Sequence, residues 1–84
     1  MIVVETFEQA VDCAERYELD GNAEDAKAAK DYFRSLADPT DSLEAMQQKF
    51  YALIEVAREH SDSSVPAVRS SLCWAWHGIG EWQA

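Results

Sequence analysis

Glycine and proline are scarce in this chain, three and two among 84 residues, which excludes collagen-like and linker-like sequences. Cysteine is equally scarce: Cys13 and Cys73 are too few for a disulfide scaffold. Bases number seven against sixteen acids, a formal net charge of -9. A surface this negative repels phosphates, so direct contact with nucleic acid is not expected. No apolar run approaches the ~18 residues of a membrane span, so no membrane contact is expected either. The opening Met-Ile-Val-Val runs into Glu5 and lacks the basic start and longer apolar stretch of a secretion signal. The expected location is therefore cytoplasmic, with both cysteines as small buried thiols.

The familiar catalytic patterns are missing too. Gly78 and Gly80 lack the rest of any phosphate-binding loop, and there is no His-Glu-x-x-His. Carboxylate pairs abound, but on a solvated face nothing separates their pKa values, as acid–base catalysis requires. Cys73 and His77 stand four apart and could chelate a metal, with Cys13 and His60 completing a Cys2His2 set. Zinc fingers use closely paired ligands at both ends, and neither Cys13 nor His60 has such a partner. A non-enzyme without metal or cofactor is the expectation.

What is present is enough apolar sequence to fold: 48% of the residues are hydrophobic and 11% aromatic. The length suits one domain, residues 1–84. A core of this size supplies only ~3–5 kcal/mol, so a homodimer or a partner would add useful stability.

Four segments carry helical periodicity. Thr6 and Gln9 form a capping box, followed by Phe7, Ala10, Val11, Ala14 and Tyr17 as a core stripe, with Asp20-Gly21 as the stop. Asn22 caps a second segment with stripe Ala26, Ala29, Phe33, Leu36 and Ala37, broken at Asp38-Pro39. A third begins at Asp38 or Asp41 and places Leu43, Met46, Phe50, Leu53, Ile54 and Ala57 on one face up to about His60. The fourth takes Pro66 as its first helical residue and carries Val65, Val68, Leu72, Ala75, Trp76 and Ile79, with Gly78 and Gly80 as stops. Ile2, Val3 and Val4 favour an extended arm. The predicted fold is all-α: a compact four-helix domain with short loops and a short extended N-terminal arm. An alternative arrangement sets a hairpin of the first two helices against the last two.

Charge is unevenly spread. Residues 1–44 hold twelve acids and four bases (Arg16, Lys27, Lys30, Arg34), a net of -8, whereas residues 45–84 hold four acids and three bases, a net of -1. Within the first helix, Glu8, Asp12 and Glu15 fall at i, i+4 and i+7, on a face away from the apolar stripe. Glu5 extends the row, Glu18 and Asp20 broaden it, and Glu24 and Asp25 continue the acidic surface. Like charges at this spacing destabilise a helix slightly, and a local cost without local gain points to function. At ~1.5 Å rise per residue, carboxylates four apart stand ~6 Å apart, near the spacing of phosphates along a strand. The alternative to a ridge for a basic partner is a solvated face that serves solubility alone.

All three tryptophans follow residue 73. Trp76 lies on the apolar stripe and belongs in the core. Trp74 lies off it and is expected to be partly exposed, as an interface anchor is. Trp82, beyond the glycines, is expected to fold back over the core.

One small, strongly acidic helical domain without catalytic residues, bearing Glu5, Glu8, Asp12, Glu15, Glu18, Asp20, Glu24 and Asp25, resembles in format the inhibitor proteins of phages and mobile elements, anti-CRISPR proteins above all. Bacteriocin immunity proteins share that format. The resemblance implies inhibition in a bacterial cytoplasm, with carboxylates covering a basic nucleic-acid-binding surface of a CRISPR effector complex or another nucleic-acid-binding protein. Trp74 would join those acids as an anchor. The competing expectation is an adaptor module or homodimer docking through Trp74, Trp82 and the Ile2–Val4 arm.

Overall fold

A computed structural model describes residues 2–79. Among these the chain forms four helices and no strand: α1 (Phe7–Asp20), α2 (Ala23–Ser35), α3 (Leu43–His60) and α4 (Ser64–Trp76). The architecture is all-α, as the periodicity predicts.

The ends of α1 follow from local chemistry. The Thr6 hydroxyl accepts the Gln9 amide at 3.2 Å while the Gln9 side chain accepts the amides of Glu5 and Thr6, so orphan donors are satisfied reciprocally. Gly21 closes the helix at φ 68°, a left-handed conformation that glycine adopts without a Cβ penalty. The Asn22 side chain then caps α2 by accepting from Glu24 and Asp25.

Three boundaries differ from the sequence expectation. α2 stops at Ser35 rather than at Asp38-Pro39. The Ser35 hydroxyl bonds back to the Tyr32 carbonyl, and the amides of Leu36 and Ala37 turn to Phe33 and Arg34 in tighter i→i−3 bonds. α3 starts at neither Asp38 nor Asp41. Ser42 is its cap, while Asp38 accepts from the Thr40 amide and hydroxyl and Asp41 pairs with Lys49 at 3.0 Å. α4 begins at Ser64, so Pro66 is its third residue rather than its first. A proline is still tolerated there, because amides of the first turn have no intrahelical acceptor. Gly78, at φ 82°, turns the chain beyond the end of α4.

The arrangement is not two hairpins face to face. α1, α2 and α4 pack against one another, and α3 lies chiefly on α4. Alanines at 10, 14, 29, 57, 67 and 75 bring the helices close, and the larger side chains Val11, Phe33, Leu72 and Trp76 fill the centre. Trp76 is fully buried. Its indole N–H donates to the Phe33 carbonyl at 2.8 Å, satisfying an acceptor in the last turn of α2, and its ring meets Phe50 edge-on at 6.2 Å. Ile2 and Val4 are half-buried against this core and Val3 is exposed, so the N-terminal arm alternates as an extended segment does. Trp82 and Gly80 lie outside the described residues.

Candidate partner-binding surface

The surface is built on α1. Its core side is fixed by Ala10, Val11, Cys13 and Ala14, all buried, which turns Glu8 and Asp12 to solvent. Glu5, Glu18, Asp20 and Glu24 are exposed as well. Glu8 and Glu24 have a local reason for their place: each sits in the first turn of a helix, where the macrodipole favours a carboxylate. Asp12, Glu18 and Asp20, farther along α1, have no such compensation.

Two of the predicted surface acids are engaged within the fold. The Asp25 side chain is only 8% exposed and receives both Nε and Nη2 of Arg16, at 3.2 and 3.1 Å. It is buried because α2 packs on α1 at this point and Arg16 supplies its counter-charge, so it is not part of the exposed acidic row. Glu15 is half-buried and accepts a hydrogen bond from the hydroxyl of Ser64, the fully buried first residue of α4. Its carboxylate ties α1 to α4, which interrupts the i, i+4, i+7 row expected from spacing.

Three of the four bases of the acidic half contact groups outside the row. Arg16 folds onto Asp25, Lys27 lies 3.9 Å from Asp31, and the Lys30 ammonium stands 4.6 Å from the centre of the Trp74 ring. Among the described residues, no base pairs with Glu5, Glu8, Asp12, Glu18, Asp20 or Glu24.

Trp74 is half-exposed, as its place off the stripe predicts. Tyr17, expected in the core of α1, is a correction: it is 40% exposed in the last turn of the helix, which follows the last buried residue, Ala14. Leu19, in the same turn, is 84% exposed. Tyr17, Glu18, Ser70, Ser71 and Trp74 line a shallow groove of about 210 Å³ between α1 and α4. On the other side of Glu18, a similar groove of about 220 Å³ runs past Leu19, Ser63 and Pro66. Spacing within one helix cannot foretell such grooves, since they arise where two helices cross.

The cysteines are structural in character. Burial raises the pKa of Cys13 above its ordinary value, outweighing the Arg16 guanidinium, which donates to its Sγ at 3.2 Å and acts in the opposite sense. Burial also raises the pKa of Cys73, against a smaller lowering by Arg69. His60 and His77 are exposed, and no three His, Cys, Asp or Glu side chains among the described residues converge as a metal site would. No helix among those residues is long and apolar enough to cross a membrane.

Comparison with protein families, curated proteins and solved structures finds no match to this chain.

Proposed function

We propose that this chain is a non-catalytic inhibitor that binds a nucleic-acid-handling complex and covers its basic nucleic-acid-binding surface with the acidic face of α1. The observation that carries the reading is the set of exposed carboxylates that form no ion pair among the described residues, Glu5, Glu8, Asp12, Glu18, Asp20 and Glu24, while Arg16, Lys27 and Lys30 contact other groups. A face held at net negative charge is complementary to lysines and arginines that hold phosphates. It steers association over distances comparable to the Debye length, and salt weakens it. Trp74 lies on the same side of α4 as the end of α1 and supplies an aromatic anchor of the kind that sustains binding once charges have met. A CRISPR effector complex is one partner of this chemistry.

The test is displacement. A labelled nucleic acid bound to a complex captured from bacterial lysate is followed by fluorescence anisotropy as the protein is added. The reading requires release of the nucleic acid at low salt and loss of that effect at high salt. Salt-independent binding that leaves the nucleic acid in place, and that Trp74→Ala abolishes, would assign the chain to the adaptor class instead.

A further inference from the structure

The geometry points to the groove between α1 and α4, lined by Tyr17, Glu18, Ser70, Ser71 and Trp74, as the seat of one arginine side chain from the basic partner. The inference rests on the acidic-face reading for the sign of the partner's charge and adds which of its side chains is recognised, and where.

Four features of the groove agree. Its two aromatic residues, Tyr17 and Trp74, are both exposed, on two different helices, and open into the same space. The Trp74 ring already accepts a cation: the Lys30 ammonium lies 4.6 Å from its centre, inside the ~6 Å range of cation–π attraction. Glu18 brings an exposed carboxylate with no ion pair among the described residues. Ser71 is 8% exposed, lines the groove, and makes no side-chain hydrogen bond among those residues, so a buried hydroxyl stands ready to accept one.

These groups suit guanidinium better than ammonium. A guanidinium is planar, stacks on an aromatic face and presents five donors in a fixed fork, so it can meet the π surface, the carboxylate and a hydroxyl together. An ammonium is a compact, strongly hydrated charge that gains less from the ring. A volume of about 210 Å³ is below that of small-molecule pockets and suits a single long side chain. Lys30 shares the ring with the incoming group and opposes it by charge.

Calorimetric titration of the full chain with hexa-arginine and hexa-lysine peptides at one ionic strength tests the inference. The arginine peptide should bind about fivefold more tightly than the lysine peptide. Trp74→Ala should abolish that preference, and Glu18→Gln, at an exposed site that keeps the fold, should reduce it. Replacing Glu8 and Asp12 by Gln together should weaken both peptides alike and leave the preference intact. Equal affinities in the wild type, or a preference that survives Trp74→Ala, would overturn the arginine seat while leaving the acidic face standing. Indifference of both peptides to the Glu8 and Asp12 changes would instead overturn the acidic face.

Discussion

Asp25 and Asp12 are the same residue type at the same net cost in charge, yet their surroundings give them opposite roles. Asp25 is enclosed where α2 meets α1 and holds two nitrogens of Arg16; Asp12 faces water with no ion pair among the described residues and only a longer-range attraction to Arg16. Asp25→Ala should therefore lower stability by about 1–2 kcal/mol, the lower part of the range for charge-assisted hydrogen bonds, because the half-exposed Arg16 regains water. Asp12→Ala should leave stability nearly unchanged, since it removes repulsion from Glu8 together with a weak attraction to Arg16. Urea denaturation of the two variants decides: equal losses would mean that Asp25 is not structural. The thiols make a second residue-scale prediction. Burial favours the protonated form of Cys13 and Cys73, so iodoacetamide should modify the native protein more slowly than the urea-unfolded chain at mildly alkaline pH. Because the folded state binds those protons more tightly, stability is untouched below the ordinary thiol pKa and falls as pH rises above it toward the raised native values. Native thiols as reactive as the unfolded ones would contradict this.

At the scale of elements, the local signals work where a side chain closes its own helix. Thr6 with Gln9, Asn22, and Gly21 after Asp20 mark three helix ends in the sequence, and each makes the predicted capping interaction. Gly21→Ala places a Cβ in the left-handed region and should cost about 1 kcal/mol, read as a lower midpoint in urea. The Cβ would meet no neighbour within 4 Å, so strain alone sets that cost. An unchanged midpoint would mean that the stop of α1 is set elsewhere. The signals fail where several candidate caps compete. Asp38, Asp41 and Ser42 all suit an N-cap, and Ser42 takes the role because Asp38 closes its own turn with Thr40 and Asp41 reaches Lys49. Pro66 misleads for a related reason: any position in the first turn lacks an intrahelical acceptor, so proline marks a helix start only to within a turn.

At the scale of the whole molecule, the apolar stripes foretell which faces turn inward but not which helices meet. α4 meets all three other helices, and Trp76 reaches both Phe33 of α2 and Phe50 of α3, contacts that spacing along one helix does not reveal. The site shows the same division. Glu5, Glu8, Asp12, Glu18, Asp20, Glu24 and the half-exposed Trp74 are legible from charge and periodicity. The withdrawal of Asp25 and Glu15, which follows from the packing of α1 against α2 and α4, and the emergence of Tyr17 are not. The fold leaves Glu5, Glu8, Asp12, Glu18, Asp20 and Glu24 exposed without an ion pair among the described residues, and the account depends on that.

The most direct measurement uses two baits in parallel on bacterial lysate: the wild-type chain and a variant carrying Glu8→Gln, Asp12→Lys and Glu18→Lys, with its helical content matched to the wild type by circular dichroism. Both are washed at low and at high salt, and the retained proteins are identified by mass spectrometry. The account predicts that a nucleic-acid-binding complex is held by the wild type at low salt, released at high salt, and absent from the variant bait. Retention of the same complex by both baits would contradict it and leave the acidic face as a solubility feature.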